Sequence, residues 1–361
     1  MARAGASGPK VTEKTIGRAL RALVLENELL SVTVLVDQGA DIHCLVYKPK
    51  NVDVMWKYPF AVREPGVGPP PCGDSSMQWL SHYRGGWQLI FPNFGPPVEY
   101  KGAPLPFHGE AARTAWEVDS IDADSTSAQV CLHVELLRTP FRIERVLSLQ
   151  QGQPVLSLRE TITNLGPERM EAMWGHHPAF GAPLLSADSF LDVPADTVIT
   201  DDVTEGAHYD LPKGRVWSWP HVRDKHGQSV DLSRMPAPGS RHSYLVWLKD
   251  LRESWYALTN PVLGLGAGIV WDGSVLPYVC MYIEAGGLQG YPYYGRCYHA
   301  MIEPNSSYPA IGLTNVIQTT GTQIGFDPGQ RRTVELRAVI YEGSEHVSSI
   351  DRQGGVRRAG A

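Results

Sequence analysis

Four stretches of apolar and polar alternation, Gln129 to Leu137, Phe141 to Leu149, Val155 to Thr163 and Arg332 to Tyr341, leave little choice of architecture. A period of two sends successive side chains to opposite faces, which is the signature of a strand with one buried and one wet side. Neighbouring stretches are parted by Gln151-Gly152-Gln153-Pro154 and Asn164-Leu165-Gly166-Pro167. Glycine there accepts a positive φ and proline removes a ladder donor, so each segment reads as a tight turn. An antiparallel meander in an all-β chain is the expected result. Leu30 to Val36 and Ile42 to Tyr47 flank Gln38-Gly39-Ala40-Asp41 as a further hairpin, whereas Ile16 to Leu25 fits either a strand or a short helix.

All-β sandwiches run well past average domain size as single units, so one domain over residues 13–343 is expected of these 361 residues. Residues 1–12 and the Gly- and Arg-rich stretch 344–361 read as flexible ends. The region from Tyr58 to Pro106 is dense in proline, glycine and aromatics, and reads as long-loop material around a site.

A formal net charge of -6, with no long Lys/Arg run, argues against a nucleic-acid partner. No stretch approaches the ~18 apolar residues of a membrane span, and the first residues carry no secretory h-region. A cytoplasmic protein with a small-molecule partner is therefore expected, as a monomer or homodimer. Five cysteines at irregular spacing, without Cys-x-x-Cys, indicate reduced thiols rather than a disulfide framework or zinc ribbon. Phosphate-loop, zinc-helix and nucleophile-elbow motifs are absent, and Gly264-Leu265-Gly266-Ala267-Gly268 lacks dinucleotide spacing, so neither a metal nor a cofactor is expected.

Three separated segments supply acid/base side chains. In Gly175-His176-His177-Pro178, strand alternation sends the adjacent histidines to opposite faces, one toward a cleft and one into support. Glu303, in Met301-Ile302-Glu303-Pro304, is a carboxylate inside an apolar run, and burial there raises its pKa toward that of a useful base. His108 is presented by a bend between Pro106 and Gly109. Arg84, Arg113 and Arg296 are candidate grips for a polyhydroxyl or anionic ligand, because guanidinium donors form a rigid fork. Trp271 is one of several aromatic platforms that a sugar face can stack on. A histidine that gives a proton and a carboxylate that takes one suit the opening of a hemiacetal ring.

Taken in order along the chain, these motifs resemble those of the aldose 1-epimerase (galactose mutarotase-like) superfamily. Tyr83-Arg84-Gly85-Gly86, Phe91-Pro92-Asn93-Phe94-Gly95 and His108-Gly109-Glu110-Ala111-Ala112-Arg113 are similar to the Arg-Gly-Gly, Phe-Pro and His-Gly-x-Ala-Arg series of its hexose-6-phosphate epimerase branch. His177-Pro178-Ala179-Phe180 resembles the His-x-Tyr-Phe motif of the general acid, with Ala179 where tyrosine is common. Ile302-Glu303-Pro304 resembles the motif of the general base, and Asp327-Pro328-Gly329 a late turn. The resemblance implies a β-supersandwich of large antiparallel sheets and an isomerase that interconverts the anomers of a hexose or hexose derivative. It makes His177 the acid, Glu303 the base and His108 their partner, with Arg84 holding the substrate. Glu284, in Tyr282-Ile283-Glu284-Ala285, stands in for a hydroxyl-binding aspartate that the chain lacks. The arginine set raises the expectation that the sugar is anionic. The competing readings are a carbohydrate-binding protein without turnover, and a glycoside hydrolase or lyase on the same fold.

Overall fold

The computed structural model describes residues 8–17, 19–59, 75–202 and 211–360. Two large antiparallel sheets dominate it. The eight-stranded sheet runs Phe190–Asp192, Trp255–Asn260, Leu265–Trp271, Arg331–Glu342, Val155–Asn164, Phe141–Gln150, Ser127–Glu135 and Glu117–Ala123. Its fourth to seventh members are the four alternating stretches of the expected meander, and Phe141–Leu149 alternates strictly between buried and half-exposed positions. In the turn to Val155–Asn164, Gly152 takes φ +70°. Arg331–Glu342 joins the meander across Val155–Asn164, from the far end of the chain.

The twelve-stranded sheet carries the site. Its path begins with Lys10–Ile16, Leu20–Glu26, Leu30–Leu35 and Asp41–Tyr47. Trp87–Ile90, Gly175–Phe180, Tyr298–Asn305, Tyr278–Ala285, His242–Leu251, Ala195–Thr200 and Val216–Ser218 follow, and the twelfth strand, Val52–Asp53, pairs with Asp41–Tyr47 off this path. The ambiguous stretch Ile16 to Leu25 is thus the end of one strand and most of the next, paired as a hairpin. Between the two sheets lies the core, with Trp87, Trp174, Phe141, Phe180 and Tyr256 fully enclosed. A buried polar link also crosses it: Arg145 Nη2 lies 2.6 Å from Glu160 Oε1, and Trp174 Nε1 donates to Glu160 Oε2 at 3.2 Å.

Three sequence expectations require correction. The stretch Tyr58 to Pro106 is not long loop throughout: it holds the helix Ser75–His82 and the strands Trp87–Ile90, Val98–Tyr100 and Ala103–Leu105, while Gly68 to Pro71 lie outside the described residues. The stretch 344–361 is not a tail: Val347–Ile350 and Val356–Arg358 form a hairpin, and Val347 and Ile350 pack on Val155, Trp255, Val270 and Tyr341. Its polar composition hid the few apolar side chains that anchor it. The folded chain also begins before residue 13, since Lys10–Ile16 is already an edge strand. Cys44, Cys131, Cys280 and Cys297 are free thiols, as expected; Cys72 lies outside the described residues.

Candidate active site

The tandem histidines lie inside a strand, Gly175–Phe180. That strand is central, flanked by Trp87–Ile90 and Tyr298–Asn305. Its pairing with Tyr298–Asn305 keeps one register at both ends, Gly175 against Asn305 and Ala179 against Met301. The same register sets His177 opposite Glu303. Between the two anchoring pairs the ladder is interrupted, where Pro178 and Pro304 bring no N–H to donate.

Alternation then sorts the histidines. His176 turns into the core, where Trp87 Nε1 donates to its Nδ1 at 3.1 Å and its Nε2 faces Glu160 Oε2 at 3.4 Å. His177 turns to the outer face of the large sheet, and its Nε2 lies 3.6 Å from Glu303 Oε1. Both side chains are buried. Burial presses the imidazole down to about 4 and pushes the Glu303 carboxyl well above the ordinary carboxylate range. Glu303 Oε2 has no hydrogen-bond partner among the described residues.

Loops and one helix wall this face. His108 arrives on a bend in which it and Gly109 both take positive φ, +60° and +76°. A Cβ on Gly109 would sit 2.2 Å from the carbonyl oxygen of Phe91, so glycine is required there. The Gly95 N–H donates to His108 Nδ1 at 3.2 Å, which leaves Nε2 as the proton-bearing nitrogen of a neutral ring. Its centroid is 5.6 Å from that of His177. Burial, and then the neighbouring His177, hold its pKa well below the usual histidine range.

The helix Ser75–His82 presents Trp79, which stacks on Tyr83 at 4.4 Å between centroids. The Tyr83 hydroxyl reaches His177 Nδ1 at 3.4 Å. In the sequence Tyr83 stands out only as the neighbour of Arg84, and Trp79 carries no signal. Further along the same face, Glu284 is the cross-strand partner of His299. Glu284 Oε1 accepts from the Leu288 N–H at 3.1 Å, and its Oε2 from the Tyr282 hydroxyl at 3.4 Å. Burial raises its pKa against these hydrogen bonds. The even spacing of His299 and Glu303 on one strand was the signal that would have found the histidine.

His177, Glu303 and His108 are therefore brought together, with Glu284 farther along the same surface. The arginines among the remaining candidates make hydrogen bonds to the protein itself. Arg84 is buried and its Nε donates to Gln38 Oε1 at 2.7 Å. Arg113 Nη1 donates to Gln78 Oε1 at 3.4 Å, and the exposed Arg296 donates from Nη2 to the Pro59 carbonyl at 3.2 Å. Trp271 belongs to the eight-stranded sheet; its Nε1 donates to the Leu276 carbonyl at 2.8 Å, and it packs on Tyr256. As a stacking platform for a sugar in this cleft it is corrected: core packing claims the ring. Among the described residues, no cluster of three or more His, Cys, Asp or Glu is arranged to hold a metal, and no helix is long and apolar enough to cross a membrane.

Comparison with solved structures places this architecture. A protein of Klebsiella pneumoniae described as "a putative aldose 1-epimerase" superposes with a TM-score of 0.71 at 16% identity, over 93% of this chain and 88% of its own. A galactose mutarotase-like protein of Clostridium acetobutylicum gives 0.65 at 14% identity, over 93% and 99%. The Slr1438 protein of Synechocystis sp. PCC 6803 gives 0.64 at 16%, over 91% and 99%. The chain shares the galactose mutarotase-like fold with them, as its motifs led us to expect. Comparison with curated proteins finds no match. Residues 17–340 match the model of a family described as "Domain of unknown function (DUF4432)", and the chain belongs to that family.

Proposed function

We propose that the protein is an isomerase of the aldose 1-epimerase type, which exchanges the anomers of a sugar by opening and reclosing its ring. The observation that carries this reading is the pairing of His177 with Glu303 across two central strands, 3.6 Å apart on the walled face of the sheet. Burial disfavours charge on both groups, which favours a single proton on the pair, held by the carboxyl. One proton is also what the reaction needs. A sugar hydroxyl donating to Glu303 and a ring oxygen accepting from His177 both favour moving that proton to the imidazole.

Glu303 then takes the proton of the anomeric hydroxyl while His177 Nε2 delivers its own to the ring oxygen. The bond from C1 to the ring oxygen breaks and C1 becomes an aldehyde. Rotation about the C1–C2 bond and reclosure with the roles reversed give the other anomer. His108, with its donor nitrogen free of the Gly95 bond, supports the charge that develops on the ring oxygen.

A hydrolase reading needs two carboxyls across one glycosidic bond, ~5–9.5 Å apart. Glu284 pairs with His299, four residues or about 13 Å along the strand from Glu303, and its oxygens are engaged by Leu288 and Tyr282. The test is polarimetry, or NMR exchange, on a freshly dissolved single anomer. Acceleration by the wild type, and a loss of about 10²- to 10⁴-fold in both Glu303→Gln and His177→Ala, is expected of a pair that transfers protons. Binding without acceleration identifies a carbohydrate-binding protein, and a new product identifies a hydrolase or lyase.

A further inference from the structure

His299 is fully buried on the same face as His177 and Glu303, yet neither of its ring nitrogens has a hydrogen-bond partner among the described residues. Buried polar groups are ordinarily satisfied, so both nitrogens of this ring are open to a further hydrogen-bond partner. The surroundings are specific. Trp56 packs edge-on with centroids 4.6 Å apart, Tyr282 at 5.1 Å and Tyr293 at 6.3 Å, so the ring is held rigidly in an aromatic wall.

Four residues of strand, about 13 Å, separate His299 from Glu303, and the even spacing keeps both on one face. With the reacting carbon at Glu303 and His177, a sugar lying along the strand brings its far end toward His299. Burial and the nearby His177 keep the imidazole uncharged, its pKa pressed to about 3. A neutral ring offers one donor and one acceptor, which is the complement of a hydroxyl group. It offers no charge to a phosphate, and across the ladder stands the acidic Glu284.

We propose that His299 clamps a hydroxyl at the end of the sugar remote from the anomeric carbon, and that the substrate is a neutral polyhydroxyl sugar. This rests on the anomer-exchange reading for the orientation of the ring, and it reverses the anionic preference that Arg84, Arg113 and Arg296 led us to expect.

The experiment compares D-glucose and D-galactose with their 4-deoxy and 6-deoxy analogues and 6-phosphates, in wild type, His299→Phe and His299→Gln. In the wild type, removing the clamped hydroxyl lowers kcat/KM by at least about 10-fold, because the site's polar atoms are left unpaired. The 6-phosphates react more slowly than the parent sugars. In His299→Phe, which keeps the ring and loses both nitrogens, the difference between parent and deoxy sugar disappears. In His299→Gln, which retains a donor and an acceptor, most of it returns. Equal discrimination in wild type and His299→Phe, or a 6-phosphate preferred to its parent, overturns the clamp. Should His299→Phe not fold, His299→Met, which also lacks both ring nitrogens, takes its place, and the same loss of discrimination is expected of it. Should no sugar be interconverted faster, calorimetric Kd values for the same panel replace the rates. Deoxy discrimination in binding then upholds the clamp while the isomerase reading fails, and its absence ends both.

Discussion

The hydroxyl of Tyr83 stands 3.4 Å from Nδ1 of His177, on the side of the ring opposite Glu303. Burial raises the Tyr83 pKa well above its usual value, so the phenol keeps its proton and can donate it to Nδ1. That leaves Nε2 as the nitrogen that carries and returns the mobile proton. Tyr83→Phe is expected to slow anomer exchange about 10-fold while shifting stability by less than ~1.5 kcal/mol, the ordinary worth of one hydrogen bond. Polarimetric kcat alongside thermal unfolding checks this, and an unchanged kcat removes Tyr83 from the mechanism.

Stability should peak near neutral pH and fall on both sides. Burial presses His43, His176 and His177 from 6.5 to about 4, and His108 and His299 also lie low. The unfolded chain takes up protons between pH 6.5 and about 4 that the fold refuses, so stability is lost as pH falls through that window. Asp41 works the other way: burial lifts it to about 8, so the fold keeps a proton that the unfolded chain releases above 3.8. Its contribution is lost as pH rises toward 8. Asp41→Asn should therefore gain in Tm relative to wild type as pH rises, with the difference levelling off past about pH 8. A difference independent of pH contradicts the buried, protonated Asp41.

The Arg-Gly-Gly segment has a backbone reason. Gly85 takes φ +77°, and a Cβ there would lie 2.2 Å from the Trp56 carbonyl oxygen. Gly152 has a similar φ of +70°, but the nearest atom to its would-be Cβ is a Glu28 side-chain oxygen at 3.8 Å. Gly152→Ala should cost about 1 kcal/mol, the left-handed penalty alone, whereas Gly85→Ala should cost at least ~3 kcal/mol. Urea midpoints of the two variants measure the contrast.

Removing residues 344–361 should destabilise the protein rather than merely shorten it. Val347 and Ile350 are buried against the eight-stranded sheet, and each such side chain is worth roughly 1.5–3 kcal/mol. A lowered Tm, with a red shift in tryptophan emission as Trp255 is uncovered, is the expected result. An unchanged melting curve shows that the hairpin contributes nothing.

The legible parts of this fold were those with water on one side. Ser127–Glu135 and Phe141–Gln150 alternate because only one of their faces is covered, so both could be read as strands, the first two residues out of place at each end and the second to within one residue. Gly175–Phe180, Trp255–Asn260 and Leu265–Trp271 are buried on both faces, so period two disappears and with it the signal. His177 and Glu303 stood out as polar residues among apolar ones. His299 and Tyr83 did not, because their significance lies in which strand or helix is set beside them. The arginines are ambiguous for a related reason: a guanidinium looks the same in sequence whether it meets a ligand or, as with Nε of Arg84, a buried Gln38.

The tandem histidines leave the molecule intolerant of slippage. His176 and His177 differ by one position, and one belongs to the Glu160 network inside while the other belongs to Glu303 outside. Shifting the strand by a single residue would exchange them and send each imidazole to the wrong neighbour. An insertion or deletion can therefore be absorbed in the loops on either side of this strand but not within it.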